Sequence, residues 1–383
     1  MLARLVAIAA VAAASTNAAG AASWSWVPLK GSKCMGGEET GVWMRMGPSG
    51  NASTDLGVYL SGGGACFNLE TCLAAAHTAK PAAPADTGIW DGNRTDNPFQ
   101  NYSWIVVPYC TGDVHTGERT AFEDGALRHY HGKLNLELVM KHATSTFKPD
   151  QLQTFVVTGE SAGGFGAISA YNFLRSFWPF KQTRGVLLDD SGPVLDDTAL
   201  APCLQGIWRS HWNINATLPP GCPCVGDKGG LSGIWNYVIR PHAKSPVFFG
   251  SRADGLLVID GHFLTDCLWL QTATRWPRDT FGLISSLKDG TISTFFAYGD
   301  LDCKNSIAPI GYDKLAGGLK RLSAGEGGAS PVSVYMISGG EHTHTGSKAE
   351  FYTKTSGGVS LLSWVGKLVG GENPGSVSPS SED

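Results

Sequence analysis

Apolar residues along this chain fall into short unbroken runs, separated by glycine turns and by longer segments of helical spacing. Residues 56–60 form one such run and end in Ser61-Gly62-Gly63-Gly64. Residues 104–109 form a second, ending at Cys110-Thr111-Gly112-Asp113, and residues 154–158 and 185–188 are two more. Continuous apolar runs of this length predict strands buried on both faces. Residues 135–146 place apolar side chains at helical spacing, and residues 162–178 predict a helix stopped by Pro179. The rhythm returns at 280–287 and 332–337, and 357–368 reads as a closing helix. Strands alternating with helices predict an α/β fold: a mostly parallel sheet with helices on both faces.

Four stretches fall outside that rhythm. Residues 23–50 are rich in Trp and Gly and read as irregular, and residues 80–99 as a Pro-rich loop. Residues 201–276, rich in Pro, Gly, Trp and Cys, predict an insertion over the sheet, a lid or substrate wall. Residues 370–383 form a Gly/Ser/Pro tail expected to be disordered. At the other end, Arg4 precedes an apolar run over residues 5–14 and small residues up to Ala22. That layout predicts a signal peptide over 1–22, because the run is too short to span a bilayer. One catalytic domain is therefore expected over 23–369. No later run is long and apolar enough for stable membrane insertion.

Charged residues make up 16% of the chain and the net charge is −4. With no basic patch or stripe, nucleic acid is not an expected partner. The nine cysteines agree with a secreted, extracellular protein, since an oxidising compartment would pair most of them. Cys222-Pro-Cys224 is too tight for the usual zinc spacing. The pairing of Cys203, Cys222, Cys224, Cys267 and Cys303 is left open. Asn51, Asn93, Asn101 and Asn215 each begin an N-glycan acceptor tripeptide.

Gly159-Glu160-Ser161-Ala162-Gly163 has the pattern of a nucleophile elbow. A strand must turn sharply into a helix with serine at the tip, and the flanking glycines leave room for that turn. The predicted strand before it and helix after it are the context the motif requires. Gly63 and Gly64 supply a glycine-rich loop whose N–H groups, with that of Ala162, would form an oxyanion hole. A serine also needs a base and an acid, in the order serine, acid, histidine along an α/β-hydrolase chain. His342 follows the run 332–337 and is the expected base, with His344 the alternative. A metal reading of that His-x-His pair lacks further well-spaced ligands. Asp289 ends the run 281–287 and is the expected acid, with Asp254 and Asp302 the alternatives.

These motifs resemble the pectin acetylesterase family, which includes the Notum carboxylesterases. The resemblance lies in the run from Leu60 through Gly64 to Asn68, in Pro108-Tyr109-Cys110-Thr111-Gly112-Asp113-Val114-His115, in Gly159 to Gly164, and in Asp190-Ser191-Gly192. It continues through Asp289-Gly290-Thr291 and Glu341-His342-Thr343, and covers nearly all of the chain after residue 22. It implies a Ser161–His342–Asp289 triad and disulfides Cys34–Cys110 and Cys66–Cys72. The chain departs from many relatives at Gly64, where they carry a large aromatic residue, and in the length and content of the segment between Ser161 and Asp289. The expectation is a secreted serine carboxylic-ester hydrolase that needs neither cofactor nor metal and deacetylates a polysaccharide such as pectin through an acyl-enzyme. The alternatives are a deacylase of lipid or protein-linked acyl esters, and a non-catalytic binding protein on a hydrolase scaffold.

Overall fold

The six apolar runs are the six parallel strands of one eight-stranded sheet in the computed structural model, which describes residues 23–75, 78–123, 125–196, 198–214, 276, 278–298, 303, 309–325 and 332–380. The strands are β1 (Ser25–Pro28), β2 (Gly41–Arg45), β3 (Asp55–Leu60) and β4 (Ser103–Val107), then, after a separate hairpin of β5 (Arg119–Glu123) and β6 (Ala126–Tyr130), β7 (Thr154–Glu160), β8 (Arg184–Asp190), β9 (Thr280–Ser286) and β10 (Ser333–Ile337). Their order across the sheet is β1-β2-β4-β3-β7-β8-β9-β10. From β4 to β10 every pairing is parallel. β1 and β2 are antiparallel additions at the β4 side.

Alternation along the strands divides the core in two. Val58, Leu60, Ile105 and Val157 point to one face; Tyr59, Trp104, Val106 and Val156 point to the other. The first face is covered by helices at Gly132–Thr146 and Ala162–Arg175. Leu136, Val139, Met140 and Ala143 stripe the former at the spacing an amphipathic helix needs. The second face is covered by the helix Leu361–Gly370, which buries Leu361, Trp364, Val365 and Leu368 and ends at the left-handed Gly371 (φ 90°).

Several sequence expectations are corrected here. Residues 23–50 contain β1 and β2, whose short lengths hide a strand pattern; the rings of Trp26 and Trp43, opposite each other, lie 5.3 Å apart. The closing helix starts at Leu361, behind a small hairpin of β11 (Thr355–Ser356) and β12 (Val359–Ser360). The tail is not disordered over 371–380. Val377 exchanges backbone hydrogen bonds with Val334 and Met336, so the tail runs along the outer edge of β10. Asn373 accepts from the Ser333 hydroxyl and the Gly375 carbonyl from the Trp364 indole. Of the expected insertion, the helix Pro202–His211 is described, and residues 215–275 lie outside the described residues, with Asn215, Cys222, Cys224, Asp254 and Cys267. Asp302 and the expected signal peptide 1–22 also lie outside them. Disulfides join Cys34 to Cys110, Cys66 to Cys72 and Cys203 to Cys303. Asn51, Asn93 and Asn101 are exposed.

Candidate active site

Chain order across the sheet reverses between β3 and β7: β4 lies outward from β3, whereas β8, β9 and β10 follow β7 in the opposite direction. Open parallel sheets bind ligands at the carboxyl ends of the strands beside such a reversal. Leu60, the last residue of β3, is in register with Gly159 of β7. The glycine loop 61–64 and the Ser161 turn therefore leave the sheet side by side.

Ser161 links β7 to the helix Ala162–Arg175 with φ 54° and ψ −122°, a backbone conformation that costs free energy for any residue but glycine. It is held by a bond from its N–H to the Asp190 carbonyl (2.8 Å), while its own carbonyl accepts from Gly164 and Phe165. The glycines of the motif are needed for close approach. A Cβ on Gly159 would lie 2.3 Å from the Gly163 carbonyl oxygen, and one on Gly163 only 1.9 Å from that of Leu60. Gly63 (φ 155°) and Gly64 (φ 82°) turn the loop over the elbow. His115 fastens that loop from below: its Nε2 donates to the Ser61 carbonyl at 2.9 Å. Burial pushes the imidazole down to about 4, so the ring is neutral in this role.

Asp289 and His342 follow the adjacent strands β9 and β10. Asp289 is fully buried and caps the helix Gly290–Ala297: Oδ1 accepts from the Ile292 N–H at 3.0 Å. Its Oδ2 pairs with His342 Nδ1 at 2.7 Å. His342 Nε2 is buried and makes no hydrogen bond. His344, the alternative base, is fully buried with its Nε2 on the Ser286 hydroxyl at 3.0 Å, and its pairing is that of a packed residue.

The structure adds a participant that sequence reasoning passes over. Asp190 Oδ2 accepts from the N–H groups of His344 and Thr345 and from the Thr345 hydroxyl, each at 2.7 Å. The Ser191 hydroxyl accepts from Thr343 N–H at 3.2 Å. One residue thus bonds the serine turn through its carbonyl and the histidine loop through its carboxylate. Its only sequence signal is the Asp190-Ser191-Gly192 triplet at the end of a buried strand. Ser161, Gly64 and Ala162 line a small apolar pocket with Ala65, Val114, Phe165, Trp208, Ile292 and Phe295. Among the described residues no cluster of His, Cys, Asp and Glu could hold a metal ion.

This sheet, with helices on both faces and its elbow at the strand reversal, is of the α/β-hydrolase type. The Wnt deacylase Notum from Drosophila shares it: the two structures superimpose with a TM-score of 0.56 over 91% of this chain and 94% of that one, at 16% sequence identity. The chain belongs to the pectinacetylesterase family, whose model matches residues 15–252. Pectin acetylesterase 4 of Arabidopsis thaliana is 27% identical over 175 residues, 44% of this chain and 42% of that protein. The palmitoleoyl-protein carboxylesterase NOTUM of Homo sapiens is 26% identical over 219 residues, 50% of this chain and 43% of that protein. The chain spans less than half the length of the curated relatives it matches.

Proposed function

We propose that this protein is a secreted serine carboxylic-ester hydrolase that removes acetyl groups from a polysaccharide such as pectin. Ser161 attacks the ester carbonyl while His342 Nε2 takes its proton, and Asp289 orients and stabilises the resulting imidazolium. The N–H groups of Gly63, Gly64 and Ala162 stabilise the charge that develops on the carbonyl oxygen. The alcohol leaves with a proton from His342. Water activated by the same imidazole then releases the acid and restores Ser161.

The observation that carries this reading is the 2.7 Å bond between His342 Nδ1 and Asp289 Oδ2, which leaves Nε2 buried and without a hydrogen bond. Membership of the pectinacetylesterase family supports the acetyl ester, and three disulfides support an oxidising, extracellular setting. The carboxylesterase relatives favour a longer lipid acyl group as the second reading.

A fluorophosphonate probe tests the chemistry. It is expected to label the wild type and not Ser161→Ala. Well-folded wild-type protein that resists labelling would instead be a binding protein on a hydrolase scaffold. Hydrolysis of p-nitrophenyl esters of increasing chain length, beside acetylated pectin and xylan, separates the substrates. A sharp preference for acetate supports the polysaccharide, and a long-chain optimum supports the lipid ester.

A further inference from the structure

The pocket that Ser161 lines is tight, and a disulfide ties two of its walls together. It holds about 20 Å³ of free space, room for roughly one water-sized group. Ala162 and Phe165 belong to the helix that the elbow fixes in place. Trp208 comes from the helix Pro202–His211, and Ile292 and Phe295 from the helix Gly290–Ala297. Widening the pocket on that side requires these two helices to part. Cys203 stands in the first turn of the one, and Cys303 lies six residues beyond the end of the other. Their bond therefore joins, over 100 positions of chain, the two segments that carry these walls.

The two ends of the helix Pro202–His211 are held by different means. At its end, the His211 carbonyl accepts from Arg119 at 2.6 Å, His211 Nε2 bonds with the Tyr130 hydroxyl at 2.9 Å, and the Trp212 indole donates to the Cys66 carbonyl at 2.7 Å. At its start, the tie is the covalent one at Cys203. Trp208 sits between, with its ring 6.0 Å from that of Phe165 and stacked on that of Trp212. Breaking the disulfide loosens the start while the end stays fastened, which lets Trp208 swing away from the pocket. The three disulfides also differ in access. Cys34, Cys110, Cys66 and Cys72 are buried, whereas Cys203 is exposed and Cys303 half-buried. A disulfide is cleaved by attack of a thiolate on one of its sulfurs, so the accessible bond exchanges first.

We propose that Cys203–Cys303 is a redox-sensitive clamp that sets how large an acyl group the pocket beside Ser161 accepts. A dithiol of the thioredoxin class opens it. One thiolate of the dithiol attacks a sulfur and the S–S bond breaks; a second exchange leaves two cysteine thiols in the protein and a cyclic disulfide in the reductant. Two electrons and two protons pass from the dithiol to the protein. The consequence for esters rests on the esterase reading; the selective reduction and the loosening of the helix do not. Folded protein, its free thiols first blocked with iodoacetamide, is treated with graded dithiothreitol, and the new thiols are mapped with N-ethylmaleimide by mass spectrometry. Cys203 and Cys303 are expected to be labelled before Cys34, Cys66, Cys72 and Cys110. Without the second label, hydrogen exchange should quicken over residues 202–208 and stay unchanged over β7 and β8. The ratio of kcat/KM for p-nitrophenyl hexanoate to that for p-nitrophenyl acetate should rise about tenfold and return on reoxidation. The double variant Cys203→Ser/Cys303→Ser should show the raised ratio without reductant. Labelling of the buried cysteines first, unchanged exchange over 202–208, or an unchanged ratio in active protein would overturn the clamp. Selective reduction with faster exchange, in a protein inactive on every ester, would remove the esterase reading and still support the clamp on the pocket.

Discussion

Acid should loosen the protein at an imidazole under the glycine loop. His115 is 3% exposed, its Nε2 donates to the Ser61 carbonyl, and its ring lies 4.9 Å from that of Tyr109. Its backbone is left-handed (φ 61°) and is fastened by bonds from Val114 N–H to the Tyr109 hydroxyl and from His115 N–H to Asp113. Burial lowers the imidazole from 6.5 to about 4. Between those two values the unfolded chain holds a proton that the folded chain does not. The stability contribution is therefore complete above about pH 6.5 and is lost as pH falls toward 4. At about pH 5 the linkage relation puts the loss at about 2 kcal/mol, a large part of the margin of an ordinary domain.

His115→Gln isolates the effect, because the amide N–H can still donate to Ser61 but does not titrate. Urea unfolding with disulfides intact, repeated between about pH 7 and about pH 5, should show the wild type losing about 2 kcal/mol more than the variant. The carboxyls of Asp113, Glu160 and Asp189, all raised by burial, act in the opposite direction. They are common to both proteins and cancel in the difference. Parallel stability curves for the two proteins would refute the argument.

Two further expectations concern the histidine loop. Asp289→Asn should keep the helix cap, since Asn caps as well as Asp, while lowering ester turnover roughly 10³–10⁴-fold by disturbing the imidazole tautomer; unfolding measurements alongside kcat check both halves. Asp190→Asn should keep an oxygen for the His344 and Thr345 N–H groups but lose the charge that strengthens those bonds. A kcat roughly ten times lower with little change in KM is the expected split, from steady-state kinetics, by analogy with small displacements of positioned catalytic groups.

What could be read from the sequence, and what could not, follows from how each feature is encoded. The six parallel strands are legible because burial on both faces demands unbroken apolar runs, as in the all-buried Val156 and Val157 of β7. Ser161 is legible because the elbow needs glycines that no other residue replaces, given the approach of Gly163 to Leu60. Asp289 meets its partners through geometry, a cap on one oxygen and an imidazole on the other, and neither bond leaves a spacing rule in the chain. β1 is short and lies at the edge of the sheet, and β2, though paired on both sides, carries Gly41 and Arg45 at its ends, so neither shows an unbroken apolar run. The tail is paired to β10 by backbone groups, which every non-proline residue possesses, so its Gly/Ser/Pro composition conceals it. Asp190 illustrates the same limit inside the site. Its carboxylate recognises main-chain N–H groups 154 and 155 positions away, and any residue types there would offer them. Residues that perform chemistry are chosen by side-chain type and can be sought by type. Residues that hold them in place often grip the backbone, and become visible only when distant segments are brought together.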